Sequence, residues 1–204
     1  AGHDDVRLRV GSVEPRSLDP EFVKVMAESE GRVCRHLHLP LQSGSDKVLH
    51  EMNRPYSAHE FLEVVAMLKR QVGDISLTTD VIVGFPGETE QDFADTCTLV
   101  REVGFTKIHV FRYSRREGTP AASRTDQIPA ETKERRAHEL SVLGDRLRIQ
   151  YAQRRIGSHE LVAVEQEGWG MTESYYKVRV DGFPQGALVD VCLTGVDDAA
   201  IMRA

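Results

Sequence analysis

The sequence predicts an α/β fold in which parallel βα units are followed by a small all-β barrel. Three observations carry this. Strand and helix patterns alternate at regular spacing through residues 1–127. A long, strongly basic helical pattern fills 128–156. From 157 to 204 short β runs are separated by glycines and by Asp181-Gly182. Alternating units predict a parallel sheet with right-handed crossovers, and a cluster of short strands in a small span predicts a barrel of the oligonucleotide-binding kind.

The elements follow in order. Val6, Leu8 and Val10 alternate with Arg7 and Arg9, a strand pattern, and Gly11 to Pro15 end it. Asp19-Pro20 starts a helix with the stripe Phe22, Val23, Met26, and Gly31 is its expected stop. Residues 35–41 form the second strand, with Leu37, Leu39 and Leu41 on one face and His36 and His38 on the other. That histidine pair has no third ligand at a suggestive spacing, so no metal site is expected. Ser45 caps a short helix through Val48, Leu49 and Met52. Ser57 opens the next, where Phe61, Val64, Val65 and Leu68 make an apolar stripe ending at Gly73.

Val81, Ile82 and Val83 then form a β-branched run suited to a strand covered on both faces. Gly84-Phe85-Pro86-Gly87 forces a turn, and Glu88 or Thr89 caps a helix carrying Phe93, Cys97, Val100 and Val103 to Gly104. The turn reads equally well as an anion or polar-ligand site and as a connection whose glycines serve only geometry. Residues 107–113 make a fourth strand. In parallel α/β folds ligands sit at the C-terminal strand ends, which here carry Glu14, Gln42, Ser43, Asp80, Glu88, Phe111 and Ser114. After a loop over 114–127, the long helix holds Leu140, Leu143, Leu147 and Tyr151 on its stripe. Its arginines, Arg135, Arg136, Arg146, Arg148, Arg154 and Arg155, read as a solvated face. In the final region Trp169, Tyr175 and Tyr176 either fill the barrel or stack on bases, with Lys177 and Arg179 on phosphates.

Composition narrows the function classes. A net charge of −6 argues against indiscriminate nucleic-acid binding but leaves room for a local basic face. No apolar run approaches the roughly 20 residues of a bilayer span. Cys34, Cys97 and Cys192 lie far apart and form neither a disulfide framework nor a metal spacing. They read as buried free thiols in a reducing compartment, so a cytoplasmic location is expected. No membrane partner is expected either, and the oligomeric state stays open, with a monomer as the expectation.

Three long motifs give the chain a family resemblance. They are His36-Leu37-His38-Leu39-Pro40-Leu41-Gln42-Ser43-Gly44-Ser45 with Met52-Asn53-Arg54-Pro55-Tyr56, then Thr79-Asp80-Val81-Ile82-Val83-Gly84-Phe85-Pro86-Gly87-Glu88-Thr89, then His109-Val110-Phe111-Arg112-Tyr113-Ser114-Arg115-Arg116-Glu117-Gly118-Thr119-Pro120. Read together, they resemble the radical S-adenosylmethionine (SAM) methylthiotransferases, and most of all the branch acting on threonylcarbamoyladenosine in tRNA. The resemblance implies a partial TIM-like radical-SAM (β/α) barrel followed by a tRNA-gripping TRAM domain. It implies methylthio insertion at C2 of a modified adenosine beside the anticodon, with SAM and two [4Fe–4S] clusters as cofactors. An aromatic C–H has no acidic proton, so radical chemistry replaces base catalysis.

The family binds its radical cluster through a Cys-x-x-x-Cys-x-x-Cys run, which this sequence lacks. The chain is therefore expected to be a fragment, the third to sixth barrel strands plus the TRAM domain, inactive alone. Where motifs match, the resemblance places Glu14, Gln42, Ser43, Arg54, Asp80, Gly84, Glu88, Phe111 and Tyr113 around SAM. Arg54 pairs with its carboxylate and Glu14 faces its ammonium. Arg116, Thr119, Tyr175, Tyr176, Lys177 and Arg179 are placed against tRNA. Two other readings stay open: a non-catalytic tRNA-binding module, and an unrelated barrel enzyme that binds phosphate at residues 84–87.

Overall fold

The computed structural model describes residues 6–204. Its first unit is a three-stranded parallel sheet in the order β1-β2-β3: β1 His36–His38, β2 Ser76–Val83 and β3 Lys107–Arg112. Helices α1 Pro20–Glu28, α2 Asp46–Glu51, α3 Ala58–Val72 and α4 Glu90–Val103 connect and cover it. The short α5 Pro120–Ser123 leads to α6 Ala130–Arg154.

Local chemistry explains these boundaries. Ser57 and Glu60 make a reciprocal capping box at the start of α3, and Thr89 and Asp92 do the same for α4. Asp19 accepts from the Glu21 N–H, with Pro20 in the first turn of α1. Gly104 closes α4 in the left-handed conformation (φ 70°), where a Cβ would be strained. Leu37, Leu39, Leu41, Val81 and Val83 are fully buried between the sheet and helices, with Phe61, Phe105 and Leu140.

The first expected strand is not one. Leu8 makes a single parallel bridge to Val33 and Ser12 another to His38, with no ladder between them. Leu8 is 58% exposed. Arg7 and Arg9, the residues alternating with the apolar ones, reach the second unit instead. Arg7 donates to the Leu161 and Met171 carbonyls at 2.5 and 2.9 Å, and Arg9 to those of Thr172 and Glu173 at 2.7 and 3.1 Å.

The second unit is a six-stranded sheet, order β7-β4-β5-β6-β9-β8, formed by β4 His159–Gln166, β5 Trp169–Thr172, β6 Lys177–Arg179, β7 Leu188–Cys192, β8 Gly195–Val196 and β9 Met202–Arg203. Its core holds Val162, Val164, Tyr176, Val178, Leu193 and Met202. The α6 helix serves both units: Leu140 belongs to the first core, Tyr151 and Ala152 to the second. Its arginines are not all solvated. Arg136 is buried on Glu88, and Arg155 reaches Asp74 and the buried Glu160.

Candidate functional site: a hollow at the strand ends

Two adjoining hollows open at the C-terminal ends of the parallel strands, sharing Gln42 and Arg54. The larger, about 530 Å³, is lined by Asp80, Phe85, Phe111, Tyr113, Arg116 and Thr119 among others. The smaller, about 320 Å³, is lined by Ser12, Glu14 and Tyr56. Gln42, Arg54, Asp80, Phe111 and Tyr113 therefore converge from separate segments on the larger hollow, and Glu14 lines the smaller one beside it.

Gln42 is the hinge between them. Its backbone sits in the left-handed region (φ 68°), a conformation disfavoured for a residue with a side chain. It is pinned there because its N–H donates to the Asp80 carbonyl and its own carbonyl accepts from Ile82, both at 2.9 Å. Strain of this kind persists where surrounding structure enforces it, commonly at ligand sites. Arg54, which lines both hollows, follows Asn53, also left-handed (φ 56°).

Two buried polar atoms on the lining have no protein partner: Arg54 Nε and Tyr113 Oη. Buried groups of this kind are normally satisfied, so a polar ligand is the simplest completion. Phe85 meets Tyr113 edge-on at 5.3 Å, and Phe111, 51% exposed, adds a second aromatic face. Guanidinium, carboxylate, amide and aromatic faces in one hollow fit an amino-acid nucleoside such as SAM.

Five predicted residues lie elsewhere. Ser43 is fully buried, its hydroxyl 3.3 Å from that of Thr96 and facing α4. Glu88 is buried on Arg136, and its Oε2 accepts the Gly84 N–H at 2.7 Å, so that amide is already used. Together Glu88 and Gly84 build the turn; neither lines the hollow. Tyr176 is 0% exposed, stacked on Tyr151 at 5.7 Å. Tyr175 stacks on His36 at 4.5 Å with Arg9 over its ring, which seals the contact between the units.

The exposed cationic aromatic site of the second unit is a different one. Trp169 on β5 pairs across the ladder with Arg179, and Lys177 Nζ and Arg179 lie 4.2 and 5.0 Å from its ring centre. Phe85 and Met52 also line the larger hollow without having been expected there. The Gly-Phe-Pro-Gly turn was the signal for Phe85.

The cysteines offer no cluster site. Cys34 and Cys97 are buried and free, and Cys192 is exposed on β7, contrary to the expectation that all three are buried. No helix among the described residues is long and apolar enough to cross a membrane.

Comparison with known proteins agrees with this geometry. The family described as the Radical SAM superfamily matches residues 4–100. The solved structure of coproporphyrinogen III oxidase (HemN) from Escherichia coli superposes with a TM-score of 0.55 at 20% identity, over 69% of this chain and 32% of that one, a likeness of fold alone. The chain is thus a member of the radical SAM class. A tRNA-2-methylthio-N(6)-dimethylallyladenosine synthase from Endomicrobium trichonymphae is 39% identical over 180 residues, 88% of this chain and 43% of the relative. The threonylcarbamoyladenosine tRNA methylthiotransferase MtaB of Bacillus subtilis (strain 168) is 38% identical over 185 residues, 86% and 41% respectively. Within the class, the chain belongs to the radical SAM methylthiotransferase family. It spans less than half the length of these curated relatives. The family uses SAM and [4Fe–4S] clusters; the hollow fits the first, and the three cysteines do not fit the second.

Proposed function

We propose that this chain is the SAM-binding half-barrel and TRAM domain of a tRNA methylthiotransferase, working at C2 of N6-threonylcarbamoyladenosine beside the anticodon. The convergence of Gln42, Arg54, Asp80, Phe111 and Tyr113 on one hollow is the observation that carries it. Arg54 would take the methionine carboxylate, Glu14 its ammonium, and Phe111 and Tyr113 the adenine faces. Bound there, SAM supplies a sulfonium centre whose cleavage yields the radical. Cluster steps need thiolates that these residues do not provide, and none is assigned to them.

The second unit would be the tRNA-gripping TRAM domain, with Trp169, Lys177 and Arg179 as its stacking and phosphate groups. Arg116 and Thr119, on the rim of the hollow, lie where a target nucleoside would enter. The threonylcarbamoyl branch rests on the His36-x-His38 strand and the Thr79-Asp80 strand entry, since overall identity to the two kinds of relative is nearly equal.

Calorimetric titration of SAM into the purified chain tests the hollow. Binding is expected, and Arg54→Ala should weaken it about tenfold or more, as loss of a charged hydrogen bond does. Binding unchanged in that variant would remove the assignment. Gel-shift titration of tRNA carrying threonylcarbamoyl- or dimethylallyl-adenosine tests the branch; preference for the second would overturn it.

A further inference from the structure

His38, Asp80 and His109 stand side by side on the three parallel strands, on the sheet face turned away from the helix-covered core. Asp80 is paired in register with His109, and His38 with Thr78, two residues before Asp80. Their nearest ligand atoms all lie within 4.8 Å of one another, and each residue is half-buried. His38 Nε2 is 3.3 Å from Asp80 Oδ2. That separation is about the edge of a tetrahedron around an ion with 2.0–2.1 Å bonds.

We propose that these three residues form a binding site for a divalent transition ion of the zinc class, distinct from any iron–sulfur cluster. Two imidazoles and one carboxylate leave at least one coordination position free, the composition of an open rather than a closed site. Asp80 also borders the larger SAM hollow.

The surroundings support a ligand role for His38. Its Nδ1 is 3.0 Å from Thr78 Oγ1, which is also 3.1 Å from His36 Nε2. Thr78 is buried, so this hydroxyl fixes the His38 ring and presents Nε2 to Asp80. Metal-binding histidines are commonly oriented in this way through their other nitrogen. The proton relay through Thr78 can run in either direction. In one, His38 Nε2 carries a bare lone pair against a carboxylate oxygen, and a cation between them relieves two facing acceptors. In the other, Nε2 carries a hydrogen shared with Asp80; when the metal takes the Nε2 lone pair that hydrogen shifts to Nδ1, which then donates to Thr78 Oγ1, and the ring stays neutral. No redox change is involved.

His36 shares the strand face but not the site, since it is buried under Tyr175. The cluster escapes a reading of sequence spacing because each ligand comes from a different strand.

The test needs neither tRNA nor SAM. The purified chain, with bound metal stripped by chelator, is dialysed against Zn2+ and, separately, Co2+. One ion per chain and visible d–d bands of four- or five-coordinate Co2+ are expected. X-ray absorption of the zinc-loaded chain should show two imidazoles. Asp80→Asn and His109→Ala should abolish the Co2+ bands, while His59→Ala, on an exposed helix face, should leave them intact. Thr78→Val should keep the stoichiometry and weaken binding about tenfold or more. Zinc far below one equivalent, a first shell without two imidazoles, or bands retained in His109→Ala would overturn the proposal. The absorption measurement on the unmodified chain decides the matter even if a variant fails to fold.

Discussion

Arg136 Nη1 and Glu88 Oε2 meet at 2.5 Å with 3% and 1% of their side chains exposed, joining α6 to the turn after β2. Burial pushes the Glu88 carboxyl upward, against the downward pull of the Gly84 N–H and the guanidinium. The second guanidinium nitrogen holds Glu90 at 2.7 Å. Breaking such a pair strands a buried charge. Arg136→Met is expected to cost about 3–5 kcal/mol, and adding Glu88→Gln should restore part of it. Urea unfolding of the two single variants and the double variant measures this. A loss below about 1 kcal/mol in Arg136→Met would show that the pair adds little.

Burial, Arg9 and His38 hold the His36 imidazole down to about 3. The unfolded chain binds a proton that the folded one refuses, so stability from this group is complete above the ordinary value of 6.5. It falls as pH drops through the window toward 3. Urea midpoints across that window should decline with acid, and more shallowly in His36→Phe. Parallel curves for the two proteins would contradict the assignment.

Tyr176 donates to the Arg148 carbonyl at 2.9 Å from inside the second core. Tyr176→Phe is expected to lower stability by about 1 kcal/mol without changing tRNA affinity. Weaker RNA binding at unchanged stability would restore a role in stacking.

Lys177 and Arg179 are exposed beside Trp169. If each neutralises one phosphate, each alanine substitution should reduce the slope of log K against log salt by about 0.7–0.9. Trp169→Ala should weaken binding by about 1–3 kcal/mol and leave the slope nearly unchanged. Filter binding at several salt concentrations separates the two effects.

The caps, breakers and periodic stripes were legible in the sequence because their causes are local. The caps at Ser57 and at Glu88 or Thr89, and the Leu37-Leu39-Leu41 alternation, need only neighbouring residues, and the structure settles the second cap on Thr89. The hollow was legible in part: strand-end position found Gln42, Asp80 and Phe111. It misplaced Ser43 and Glu88, whose partners Thr96 and Arg136 lie 53 and 48 residues away. Alternation leaves Tyr175 and Tyr176 open between barrel filling and base stacking, because it does not say which face meets another unit; the resemblance placed them on tRNA, and the structure buries Tyr176 in the core and stacks Tyr175 on His36. The failed first strand has a similar cause. Arg7 and Arg9 looked like the outward half of a strand, yet their partners lie more than 150 residues on.

All four hydrogen bonds of those two arginines to the second unit end on peptide oxygens. A grip on main-chain atoms is indifferent to residue identity at positions 161 and 171–173, so point substitutions there leave its acceptors in place. An insertion or a register slip in β4 or β5 would move the carbonyls themselves. This part of the seam is therefore tolerant of changed letters and intolerant of changed spacing, whereas Arg35 on Glu173 and His36 on Tyr175 tie the units through side chains.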